Sequence, residues 1–154
     1  MPDTVDFAVP IPALLRAARG SYGGAVRRHL AEGGFDDLPA NGPYVLGGMA
    51  NQGGNAGSLV RELGISRQAA SQLIDTLVLR GYLTREGDPD DRRRMLIELT
   101  DRGRAAAAAT RAGVEEVDAE LASMLSPEEL AGLYAGLVAL TEIRERAESE
   151  LRGF

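Results

Sequence analysis

Three carboxylates stand directly ahead of three arginines in the stretch GDPDDRRRM: Asp88, Asp90 and Asp91, then Arg92, Arg93 and Arg94. Like charges so close repel one another and add nothing to a core, so their chemistry is directed outward. Guanidinium groups on a turn can neutralise phosphate or enter a narrow minor groove, where the negative potential of a duplex is strongest. One of the carboxylates can pair with an arginine and brace the loop, leaving another arginine aimed outward. The bland alternative is a solvated turn whose charges pair among themselves. Upstream, Arg67, Gln68, Ser71 and Gln72 form a second set. Arginine can pair bidentately with guanine and glutamine with adenine, and a serine can serve a base or a phosphate. Here too a merely solvated helix face is the competing reading.

The elements that must hold these residues are legible in outline. Asn55 reads as the N-cap of a short helix to about Leu63, and Gly64 as its stop. Ser66 reads as a second N-cap. From Arg67 to Leu79 the apolar positions Ala70, Leu73, Ile74, Leu77 and Val78 repeat at helical spacing until Gly81. Two capped helices across a tight turn predict a helix-turn-helix, with the polar set near the N-terminal end of its second helix, where base edges are reached. Asn55, Ser58 and Ser66 are candidates for phosphate contacts. Leu83–Glu86 and Arg94–Leu99 read as strands around the charged turn, which makes the hairpin a wing.

Outside this block, residues 13–32 place Leu14, Leu15, Ala18, Tyr22, Val26 and Leu30 on one helical stripe. Gly20, Gly23 and Gly24 within it cost about 1 kcal/mol each against alanine, and either permit close packing, leave room for a ligand or are simply tolerated. A further helix is expected near Pro43. Thr100 can cap a long helix over 101–124. Ser126-Pro127-Glu128-Glu129 is a capping box that opens a last helix to about Leu151, with Leu130, Leu133, Tyr134, Leu137, Leu140 and Ile143 on its apolar stripe. The predicted fold class is mainly α with a small β-hairpin wing.

Composition narrows the function. The 154 residues carry a net charge of −6, which argues at first against nucleic acid. Residues 61–104 nevertheless hold nine arginines against eight acids, whereas 105–154 hold four against ten, so the acidity is concentrated in the last third. Fields decay over about 10 Å at ordinary salt, so a focused positive patch survives a negative total. The absence of cysteine excludes disulfides, thiolate metal sites and thiol sensing, and a single histidine leaves no readable metal site and no catalytic pair. An enzyme is therefore not expected, nor any cofactor. No apolar run suits a membrane span, and the N-terminus does not read as a signal peptide, so a cytoplasmic protein is expected.

The tract GISRQAASQLIDTLVLRGYLTREGDPDDRRRMLIELTDRGR resembles the winged helix-turn-helix core of the MarR family of bacterial regulators. Its most specific piece is DPDDRRRMLIELTDRG, a D-R-R wing followed by a strand ending in L-T-x-x-G. The resemblance implies one MarR-like chain over 1–154, with a DNA-binding lobe over 38–100 and helical dimerisation regions over 10–34 and 101–152. It places Arg93 as the minor-groove arginine, flanked by Arg92 and Arg94, and Asp91 as the bracing carboxylate. Arg67, Gln68, Ser71 and Gln72 fall on the major-groove face. It further implies a homodimer on a double-stranded, pseudo-palindromic operator with half-sites about 10 base pairs apart, and regulation, as a repressor, by a small lipophilic or phenolic effector. Tyr22, His29 and Tyr44 are the ligand-pocket candidates, with Arg16 and Arg19 as anion partners. The same residues also suit plain packing. Lacking cysteine, the chain departs from the hydroperoxide-sensing branch. The alternative from another class is a dimeric winged-helix module that meets protein and binds no specific DNA.

Overall fold

The computed structural model describes residues 8–53, 55–93 and 95–152, without the side chains of Gln52 and Arg152. The element order is α1 (Ile11–Glu32), α2 (Gly42–Gln52), α3 (Ala56–Glu62), α4 (Arg67–Leu79), β1 (Leu83–Gly87), β2 (Met95–Leu99), α5 (Asp101–Met124) and α6 (Pro127–Arg152). This is the mainly helical, winged architecture read from the sequence. The second strand is described from Met95, and Arg94, where it was expected to begin, lies outside the described residues.

Local chemistry explains the boundaries. The Asn55 side chain accepts from the Ser58 N–H at 2.8 Å, and the Ser66 hydroxyl accepts from the Ala69 N–H at 3.1 Å. Each cap satisfies one of the orphan donors of a first helical turn. Between the two helices Gly64 sits at φ 66°, a left-handed conformation that costs a side-chain-bearing residue far more. The α4 helix closes in the same manner, with the Tyr82 N–H reaching back to the Leu77 carbonyl at 2.9 Å across Gly81.

The chain divides into two compact units, Met1–Glu115 and Glu116–Phe154. In the first, Val45 and Leu46 from α2, Val60 from α3, Leu77 from α4, and Tyr82 and Leu83 at the entry to β1 form a buried cluster. Leu30 of α1 and Ala106 and Ala107 of α5 complete it. The strands pair antiparallel in the register Leu83 with Leu99 through Gly87 with Met95. Ile97 and Leu99 pack on the core, while Met95, at the wing's outer end, is exposed.

The L-T-x-x-G tract has a physical reason. The Thr100 hydroxyl accepts from the Gly103 N–H at 2.9 Å and so caps α5, while it donates toward the Gly81 carbonyl at 2.6 Å. A Cβ on Gly103 would stand 2.1 Å from the Tyr82 carbonyl oxygen. Farther along α5, a Cβ on Gly113 would meet the Val26 backbone of α1 at 2.7 Å. Close helix approach, one of the three readings of the α1 glycines, is thus made by Gly113 of α5. Gly20 and Gly24 face open space within the chain, and Gly23 meets only the end of the Arg27 side chain.

The second unit takes in the end of α5 and all of α6. Its capping box is complete: Glu129 accepts from the Ser126 N–H at 2.8 Å, and Ser126 accepts from the Glu129 N–H at 3.3 Å. The Ser126 bonds hold the Glu129 carboxyl below its usual range. Every side chain from Ala131 to Leu151 is exposed, including the apolar stripe: Leu137 is 40% and Tyr134 72% accessible. The first part of the α1 stripe is likewise uncovered, with Leu14 52% accessible. Farther along α1 the stripe is covered, with Leu30 in the core and Val26 packed against it.

Candidate nucleic-acid interface

The helix-turn-helix buries one face of α4 and presents the other. Leu73, Ile74 and Leu77 point into the core, whereas Arg67, Gln68, Ser71 and Gln72 are all exposed toward the N-terminal half of the helix. The division follows from helical periodicity, since residues three and four apart share a face. The phosphate candidates have structural employment as well. Asn55 and Ser66 are the caps of α3 and α4, and the Ser58 hydroxyl accepts from Arg61 at 3.1 Å. A serine hydroxyl that accepts keeps its own proton to donate.

At the wing, the turn carboxylates act on backbone. Asp91 accepts from the Arg93 N–H at 3.0 Å, and Asp88 accepts from the Asp90 N–H at 2.9 Å. The brace expected as an ion pair to an arginine is, among the described residues, a hydrogen bond that shapes the turn. Arg92 and Arg93 are exposed beside it. Asp75 on α4 meets Arg85 on β1 at 2.6 Å and ties the second helix of the helix-turn-helix to the first strand.

Sequence reasoning missed this strut and a second cluster. The Asp37 carboxylate, between α1 and α2, accepts from the Tyr82 hydroxyl at 2.5 Å and from Arg102 at 2.8 Å. Arg102 also donates to the Tyr82 oxygen at 3.1 Å. The Tyr82 hydroxyl first, and Arg102 with it, hold the Asp37 carboxyl below its ordinary value. Burial, reinforced by the Asp37 bond, pushes the Tyr82 phenol up. No sequence pattern links these three residues. Their single trace in the sequence is a tyrosine between the α4 stop and the first strand, a site that the core claims entirely.

A cavity of about 600 Å³ opens in the first unit along α1 and the segment that follows it. Tyr22 and Tyr44 line it, as does Arg19. His29 and Arg16 do not. The Tyr44 hydroxyl donates to Glu62 at 2.6 Å. Among the described residues no group of three or more His, Cys, Asp or Glu could hold a metal ion, and no helix is long and apolar enough to cross a membrane.

Residues 37–94, from the Asp37 segment through the wing turn, match the sequence model of the MarR family. Over this segment the chain is similar to the MarR family. None of the curated protein sequences matches it. Solved structures extend the likeness beyond the matched segment. The S. aureus MepR–DNA complex superposes with a TM-score of 0.68 at 22% identity, over 87% of this chain and 98% of that one. The transcriptional regulator Tm0710 from Thermotoga maritima gives 0.57 at 25% identity, over 91% and 97%. Bordetella bronchiseptica BpsR, whose DNA binding is regulated by 6-hydroxynicotinic acid, gives 0.64 at 24% identity, over 88% and 96%. At such identities the likeness to MepR and BpsR is one of fold, and the site residues of this chain rest on their own geometry.

Proposed function

We propose that this chain is a sequence-specific DNA-binding transcriptional regulator, a repressor that acts as a homodimer on a pseudo-palindromic operator and is released by a small effector. The observation that carries the reading is the divided surface of α4, polar and exposed at its N-terminal half, beside a turn that presents Arg92 and Arg93. Arg67, Gln68, Ser71 and Gln72 take the major-groove role; Arg92, Arg93 and Arg94 take the phosphate and minor-groove role. The solved complex of the similar MepR with DNA supports it.

The uncovered apolar stripes support the dimer. A row of large apolar side chains such as Leu133, Leu137, Leu140 and Ile143 left in water is unfavourable by about 25 cal/mol per Å², and a second copy of the chain removes it from water. A charge set into that row, Leu137→Arg, is expected to convert dimer to monomer in light scattering while the helical circular dichroism persists. A dimer of undiminished affinity would place the interface elsewhere. For the effector, the cavity offers apolar walls, two tyrosines and Arg19, which suits a small aromatic carrying an acidic or phenolic group.

The decisive experiment is fluorescence anisotropy of the full chain against labelled DNA from upstream of its own gene and against scrambled DNA, over a series of salt concentrations. Tight, sequence-selective and salt-steep binding is expected, because several arginines displace counterions from phosphates. Equal binding to both DNAs would move the search to selection of sites from genomic fragments. No binding even at low salt would overturn the reading in favour of a winged helix that meets a protein partner.

A further inference from the structure

Asp37 belongs to neither the recognition helix nor the wing, yet it is bonded at each end of the segment that carries them. Its backbone carbonyl accepts from Arg80, which follows the last turn of α4. Its carboxylate accepts from Tyr82, at the entry to β1, and from Arg102, in the first turn of α5 just after β2. The Arg102 guanidinium also lies over the Tyr82 ring, 4.6 Å from its centroid. One residue thus holds together the exit of α4, the start of the wing and the helix behind it.

The neighbours of Asp37 face elsewhere. Phe35, Asp36 and Leu38 line the cavity beside α1. Phe35 does both jobs: its ring centroid stands 6.2 Å from that of Tyr82 and 5.9 Å from the Arg102 guanidinium carbon, and it forms part of the cavity wall. A body that enters the cavity against Phe35 or Leu38 presses on the stretch whose middle residue makes the clip.

We infer that Asp37 is a positioning residue for DNA binding: the Asp37–Tyr82–Arg102 clip sets the recognition helix and wing, and occupancy of the cavity reaches them by displacing the stretch from Phe35 to Leu38. This rests on the DNA-binding role proposed above and specifies how that interface is regulated. An occupant shifts the clip only by as much as it favours the released state over the closed one.

The test needs no identified effector. Ala31 is an exposed residue of α1 on the cavity wall, so Ala31→Trp partly fills the cavity from within the chain. Amide hydrogen exchange of Leu83–Leu99 is compared in wild type, Ala31→Trp, Asp37→Ala and the double variant, with the α6 amides as an internal reference. Each single change is expected to speed exchange of the strand amides roughly fivefold and leave α6 unchanged, as loss of about one hydrogen bond's worth of local stability would. The double variant is expected to exchange no faster than the faster single one, because both changes open the same clip. Tyr82→Phe, which keeps the buried ring and removes only its hydroxyl, gives a smaller effect of the same pattern and decides the matter if Asp37→Ala does not fold. Strand exchange untouched by Ala31→Trp, or effects of the two changes that multiply, would overturn the inference. Anisotropy on the same variants separates the two readings: wild type that binds no DNA defeats the DNA-binding role, while the exchange data still decide whether cavity and wing are coupled. With DNA bound by wild type, Asp37→Ala is expected to weaken the complex severalfold with the salt slope unchanged, since every arginine that meets phosphate is still in place.

Discussion

Gly103→Ala is expected to cost this protein about 3 kcal/mol or more of folding stability, at or above the upper end of ordinary overpacking. The new methyl carbon would stand 2.1 Å from the carbonyl oxygen of Tyr82, well inside any tolerable contact. A flexible side chain could swing away from such a clash; this neighbour is backbone and is held from several sides. The Tyr82 carbonyl accepts from the Thr100 N–H and hydroxyl, both at 3.1 Å, and the residue itself is fully buried. Relief would require the first turn of α5 to lift off the entry to β1, which would also break the Arg102 bonds to Asp37 and Tyr82. Urea unfolding followed by circular dichroism measures the loss as a lowered midpoint at unchanged slope. Gly113→Ala supplies a graded comparison, since its methyl would meet the Val26 backbone at 2.7 Å and demands a smaller shift. A midpoint for Gly103→Ala equal to wild type would mean that α5 is not seated against β1 as described.

The second large effect concerns DNA. The double variant Arg92→Ala and Arg93→Ala is expected to weaken operator binding by a factor of ten or more at moderate salt. It is also expected to lower the salt slope by about one for each phosphate that an arginine no longer neutralises. Both side chains are exposed, and the turn bond from the Arg93 N–H to Asp91 survives because alanine keeps its N–H. Melting and dimer assembly should therefore match wild type, which assigns the weakening to the missing guanidinium groups. Gln68→Ala provides the contrast: a cost of about 1–3 kcal/mol confined to the cognate base, with the slope preserved. A double wing variant with wild-type affinity and slope would sink the wing assignment, whatever the recognition helix does.

Much of this design is local and was therefore legible. Asn55 and Ser66 cap the helices they precede, Gly64 takes the left-handed turn, and Ser126 and Glu129 cap each other, because each bond spans only a few residues and leaves a pattern at that spacing. The apolar repeat of α4 fixed which of its residues could be exposed, and with it the polar set Arg67, Gln68, Ser71 and Gln72. The wing was readable from two short apolar runs around a charged turn. The lining of the cavity was only partly readable: Tyr22 and Tyr44 reach its wall and His29 does not, since residue type says nothing about which way a half-buried side chain turns.

Tertiary structure decided the rest. Asp37 meets Tyr82 across 45 positions and Arg102 across 65, separations at which no periodic signal survives. Asp75 finds Arg85 only once the α4 exit has folded β1 back beside the helix. Gly103 and Gly113 read as weak points in a helix until the backbones pressed against them are known. The α6 stripe looked equally suited to an internal core or to a partner, and its exposure in the folded chain could not be read from its spacing. A sequence by itself records how each residue treats its near neighbours along the chain; which surfaces end up in contact is set by the simultaneous burial of all of them, and that exists only in the folded molecule.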